Sequence, residues 1–69
     1  MKIGNTVKRL RLARGMSVRG LGKLCDVRII NLIHIEGGEA EGTIVMHKKI
    51  AKAFGLSFDK FLAEIEKDN

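Results

Sequence analysis

The chain contains no proline, no tryptophan, no tyrosine and a single cysteine. Without proline, the glycines must punctuate the chain. One cysteine rules out an internal disulfide, and no Cys/His cluster stands at the spacing of a structural metal site. Packing alone has to hold the fold. No apolar run approaches the ~20 residues that cross a bilayer. The longest, Ile29 through Ile35, is interrupted by Asn31 and His34, so membrane insertion is excluded. A lone Cys25 and no N-terminal signal segment fit a reducing, cytoplasmic setting. Paired carboxylates, a phosphate-cradling glycine loop and a Ser/Cys–His arrangement are all missing. Catalysis is not expected, and no metal or other cofactor is called for.

What is present is one domain's worth of chain, 69 residues with 45% hydrophobic side chains. A chain this short buries only about 60% of its unfolded surface, so its stability margin is narrow. The net charge of +5 is unevenly placed. Residues 1–34 carry Lys2, Lys8, Arg9, Arg11, Arg14, Arg19, Lys23 and Arg28 against Asp26, a balance of +7. Residues 35–69 carry five lysines against seven acids, a balance of −2. A basic half joined to a mildly acidic half points to a polyanionic partner for the first half.

The periodicity predicts five short helices and no strand. Ile3–Arg14 has Ile3, Val7, Leu10 and Ala13 at helical spacing, and Gly15 ends it. Ser17 caps Val18–Cys25, with Leu21, Leu24 and Cys25 inward. Gly20 and Gly22 weaken this helix by nearly 1 kcal/mol each relative to alanine, so its formation rests on packing. Asp26, Val27 and Arg28 read as a tight connection to a third helix, Ile29–Glu36, closed by Gly37 and Gly38. The polar loop 37–42 follows. Thr43 caps Ile44–Phe54, with Val45, Ile50, Ala51 and Phe54 inward, and Gly55 ends it. Ser57 caps Phe58–Glu66, with Phe58, Phe61, Leu62 and Ile65 inward and Asp59 complementing the helix dipole. Cys25 falls where packing wants an apolar side chain, and His47 falls on an outer face. A three- to four-residue turn between the second and third helices suits a steep crossing, the geometry of a helix-turn-helix at residues 17–36.

These residues resemble the lambda-repressor-like helix-turn-helix family of phage repressors and Cro proteins. The matching pieces are I-G-x-x-V-K-R-L-R at 3–11, G-M-S at 15–17, L-G-K-L at 21–24, Val27, Leu32, I-E-x-G at 35–38, and I-A-K-A-F-G-L-S-F-D-K-F-L at 50–62. Any one piece is short; their order and spacing carry the likeness. It implies an all-α five-helix domain with the helix-turn-helix at helices 2 and 3. It also implies an ion pair between Arg11 and Glu36 that ties the first helix to the third. Arginine's planar fork suits such two-point contact with a carboxylate.

The resemblance implies a DNA-binding domain of a transcriptional regulator, with the start of the third helix in the major groove. Arg28, Ile29, Ile30, Asn31 and His34 would face the bases, and Arg14, Ser17, Arg19 and Lys23 the phosphates. The chain departs from the family where reading should occur. Val18 stands where glutamine is common, and positions 29 and 30 are usually polar. Isoleucine reaches only a thymine methyl and makes none of the bidentate base contacts worth about 1–3 kcal/mol. Arg28 stands where serine or threonine is expected, and is a poor helix cap. The 37–42 loop offers Glu39 and Glu41, which phosphate repels. Val18, Ile29, Ile30 and Ile33 are expected to form an exposed apolar patch, which marks a contact surface.

The expected partners are therefore double-stranded DNA, bound with low specificity, and a second copy of the chain in a weak homodimer. Two other readings stay open. One is a helix-turn-helix fold that binds DNA poorly or not at all, with the apolar patch serving protein contact. The other is a sequence designed to specify the backbone, which keeps core, caps and ion pair while losing base-reading residues.

Overall fold

The computed structural model describes residues 2–69. Five helices follow in order: α1 Gly4–Ala13, α2 Val18–Cys25, α3 Ile29–Glu36, α4 Ile44–Ala53 and α5 Phe58–Lys67. No strand occurs among the described residues. Three of the five are started by a side chain. Ser17 Oγ accepts from the Gly20 N–H at 2.9 Å, Thr43 Oγ1 from Met46 at 3.2 Å, and Ser57 Oγ from Lys60 at 3.2 Å. Each hydroxyl satisfies one of the N–H groups that a helix start leaves without a carbonyl. Neither Ile3 before α1 nor Arg28 before α3 caps with its side chain.

Four helices end in one way. The backbone N–H of Met16, Val27, Glu39 and Leu56 bonds the carbonyl five residues back, on Arg11, Gly22, His34 and Ala51. That closure requires a left-handed residue just before the donor. Glycine fills that place at 15, 38 and 55, and Asp26 fills it at the end of α2 with φ 55°.

The core is drawn from all five helices and the α2–α3 turn: Ile3, Val7, Leu10, Leu21, Cys25, Val27, Leu32, Ile35, Ile50, Ala51, Phe54, Phe61 and Ile65. The valines, leucines, isoleucines and phenylalanines packed this way are each worth roughly 1.5–3 kcal/mol of apolar burial. The helix α2 rests on α3 and α4, α1 on α3, and α5 on α4. Gly4 permits the α1–α3 contact, since a methyl there would overlap the Ile35 carbonyl oxygen.

Three residues expected inside lie outside. Leu24 is 58% exposed, Val45 is 59% exposed, and Ala13 is also exposed. On α2 the inward stripe is Val18, Leu21 and Cys25, with Gly22 beside it. A Cβ on Gly22 would lie 3.0 Å from the Val27 carbonyl and 3.2 Å from Ile29. The turn and α3 therefore close over the bare glycine side of α2, and Leu24, on the other edge, is left out. On α4, Met46, Ile50 and Phe54 form the inward row at four-residue spacing, which turns Val45 to the far side. The turn residue Val27 and the polar Thr6 are buried instead.

No helix among the described residues is long and apolar enough to cross a membrane.

Candidate nucleic-acid interface

The expected site centres on α3, and its exposed ridge follows from which side the core takes. Leu32 and Ile35 are buried, so the opposite side presents Ile30 and Ile33, 48% and 46% exposed, with His34 half-buried beside them. Asn31 and Ile29 flank this ridge and are half-buried. Arg28 is exposed at the start of the helix in an extended conformation, and its carbonyl accepts the Asn31 and Leu32 N–H groups. The first N–H groups of α3 have no carbonyl behind them and no capping side chain, and no acid sits in the first turn. That leaves the positive end of the helix dipole uncompensated.

The four-residue apolar patch expected here is narrower than its parts suggested. Val18 packs against the core and Ile29 leans toward Gly22. Ile30 and Ile33 alone are well exposed, as neighbours one turn apart on α3.

The basic side chains separate into two groups. Arg19 and Lys23 lie four residues apart on one exposed face of α2, and Arg28 lies just beyond the turn. Among the described residues none of the three forms an ion pair or a side-chain hydrogen bond. Arg14 is different. Its guanidinium donates to the carbonyls of Leu10 at 3.1 Å and Phe54 at 3.2 Å and lies 5.0 Å from the centroid of the Phe54 ring. Its fork thus bridges the ends of α1 and α4, and fewer of its donors remain for a ligand. Ser17 Oγ accepts the Gly20 N–H, which leaves its own hydroxyl proton to donate outward.

Behind α3, Arg11 meets Glu36 through two parallel bonds, Nε to Oε2 and Nη2 to Oε1, each 2.8 Å. A third donor of Arg11 reaches the Met16 carbonyl at 2.8 Å. Both side chains are about nine-tenths buried. The pair therefore joins α1, the Gly15 turn and the end of α3 at one point.

A second polar cluster was not anticipated from the residues. Thr6 Oγ1 donates to Asp68 at 2.6 Å. Arg9 bridges Asp68 at 3.0 Å and Glu64 at 3.1 Å, and Lys67 reaches Glu64 at 2.7 Å. These contacts clasp α5 onto α1. The signal was present: Ile3, Thr6, Val7 and Leu10 follow helical spacing, which puts Thr6 on the buried side, where its hydroxyl needs an acceptor.

Cys25 is buried, and desolvation pushes its thiol above the ordinary range. A protonated thiol is a weak nucleophile. His47 lies half-buried on α4, its Nε2 2.6 Å from the Glu41 carbonyl, and so tethers the 37–42 loop.

No family model matches the chain, and comparison with curated proteins gives no match.

Proposed function

We propose that this chain is a DNA-binding domain in which α2 and α3 act as a helix-turn-helix, with α3 in the major groove. The observation that carries this reading is the placement of Arg19, Lys23 and Arg28. Arg28 is exposed at the uncapped start of α3, and Arg19 and Lys23 share an exposed face of the preceding helix, none of them paired among the described residues and all in the half of the chain that holds a charge of +7. Cations and open helix N–H groups suit phosphate, which positions a protein on the duplex. Base reading falls to Arg28, Asn31 and His34, with Ile30 and Ile29 limited to methyl contacts. Affinity without strong sequence preference is the consequence.

Fluorescence anisotropy on random-sequence duplex, titrated across salt, tests this directly. Binding should be measurable at ~50 mM salt and weaken steeply above it. Replacing Arg19, Lys23 and Arg28 together by glutamine should lower the log–log salt slope by roughly 2–3. Absence of binding at ~50 mM salt overturns the reading.

The exposure of Ile30 and Ile33 favours a second reading, in which the same ridge of α3 is a protein-contact surface. Ile30→Gln/Ile33→Gln separates the two. Loss of self-association with duplex affinity retained assigns the ridge to protein; loss of duplex affinity alone assigns it to DNA.

A further inference from the structure

A second surface, lined by none of the α3 residues, has no role in that reading. Where the end of α2 meets the second half of α4, an open cleft of ≈ 390 Å³ is lined by Leu24, Cys25, Asp26, Lys49, Lys52 and Ala53. Its floor is apolar through Leu24 and Ala53, and its rim is cationic. Lys49 stands 3.6 Å from the Asp26 carboxylate, whose side chain is 96% exposed, so this pair is weak. Lys52 has no ion pair or side-chain hydrogen bond among the described residues. At the opposite end of α4 the chemistry is complementary. The exposed Glu39 of the acidic loop is followed by Ile44 and Val45, 60% and 59% exposed. Val45, Lys49 and Lys52 stand at helical positions i, i+4 and i+7, so cleft and acidic–apolar segment share one side of α4.

We propose that a second copy of this chain covers this side. The segment 39–45 of each copy seats in the Leu24/Lys49/Lys52 cleft of the other about a two-fold axis. Each pairing sets Glu39 against Lys52 and Val45 against Leu24, and one approach satisfies both, as an isologous contact requires. The arrangement gives Glu39 a cationic partner, which phosphate does not offer. It also covers Leu24 and Val45, two of the largest apolar exposures on the molecule. The chain is small. A standard interface of about 800 Å² per partner would take roughly a fifth of its 4377 Å² surface. A loop-and-cleft contact smaller than that would be weak, with a dissociation constant on the order of 0.1–1 mM.

Sedimentation equilibrium under reducing conditions, without DNA, tests the proposal, with helical circular dichroism checking that each variant folds. Leu24→Ser or Val45→Ser should weaken association at least tenfold. So should Lys52→Glu and Glu39→Lys taken singly, because each makes like charges face one another twice. An equimolar mixture of those two variants should recover association, since both contacts of the mixed dimer are then of opposite charge. If Lys52→Glu unfolds, Lys52→Gln should show a smaller weakening. The proposal is overturned if the chain stays monomeric into the millimolar range, if these substitutions leave association unchanged, or if the mixture associates no better than either variant. It is equally overturned if Ile30→Gln/Ile33→Gln abolishes association while Leu24→Ser does not, which would assign the contact to α3. Duplex binding is measured separately, and only the Ile30→Gln/Ile33→Gln outcome also bears on the reading of the α3 ridge.

Discussion

Two residues show how much a single side chain decides here. Arg11 and Glu36 are held by two 2.8 Å bonds with little solvent around them. Removing one partner leaves the other's charge desolvated, and that penalty exceeds the worth of an exposed pair several-fold. Arg11→Met keeps the aliphatic stem and strands Glu36. It should cost about 2–4 kcal/mol, a fall in Tm of at least ~8 °C by thermal circular dichroism for a domain of this size. An unchanged Tm would show that the pair contributes nothing to stability. Asp26 argues in the other direction. Among the described residues it is the one non-glycine at φ > 0, in a closure that three glycines make elsewhere in the same molecule. Left-handed backbone costs an L-residue roughly 1–2 kcal/mol, partly offset by the entropy that glycine loses on folding. Asp26→Gly should therefore raise Tm by about 2–4 °C. Asp26→Asn, which also tolerates that conformation, should change it little; an equal rise in Asn would trace the gain to charge instead. The three residues are visible in the sequence to different degrees. Arg11 and Glu36 were matched through resemblance. Asp26 was placed in the turn, but its backbone angle was not, because aspartate gives no local sign of a position where glycine would serve better.

At the scale of the helix, the five elements are legible because Ser17, Thr43 and Ser57 each stand one residue before an apolar repeat, and glycines follow the first, third and fourth repeats at 15, 37 and 55. The boundaries differ by one residue at most. What was not legible was the rotation of α2 and α4 about their own axes. In an eight-residue helix with apolar residues at 18, 21, 24 and 25, two overlapping stripes are possible. The choice between them is made by Gly22, whose missing side chain admits the turn and α3. Periodicity counts apolar residues and gives no weight to an absent one. This gives α2 two glycines with opposite roles. Gly20 is exposed, and an added Cβ would meet only the Ser17 hydroxyl at 3.2 Å. Gly20→Ala should gain helix propensity worth up to ~1 kcal/mol, less a small shift in the cap. Gly22→Ala gains the same propensity but presses on backbone at 3.0 Å and on Ile29, so overpacking of about 1–3 kcal/mol should dominate. Chemical denaturation should place the midpoint of the first variant above wild type and of the second below it. Two midpoints moving together would contradict this account of how α2 is seated. The same seating leaves Leu24 in the open, which is why the cleft beside it escaped a reading of the sequence.

For the molecule as a whole, the clasp between α1 and α5 gives stability a dependence on pH. Glu64 lies below the ordinary carboxylate range because Lys67 and then Arg9 donate to it, and Asp68 lies below it because Arg9 and then Thr6 do. A carboxylate whose pKa is depressed by folding binds protons more readily when unfolded. Its contribution is complete above the unfolded value, about 4, and disappears as pH falls through the lower folded value. The domain should therefore hold a constant Tm from neutral pH to about 5 and lose stability steadily below 4, where both groups protonate. The clasp is exposed, so salt should shrink the effect. Arg9→Met removes the cation shared by both acids. It should flatten the acid limb of the Tm–pH curve relative to wild type while moving Tm at neutral pH only slightly. Arg11→Met should do the reverse, with a large loss at neutral pH. If the acid limb keeps its slope in Arg9→Met, the protonation that matters lies outside the clasp.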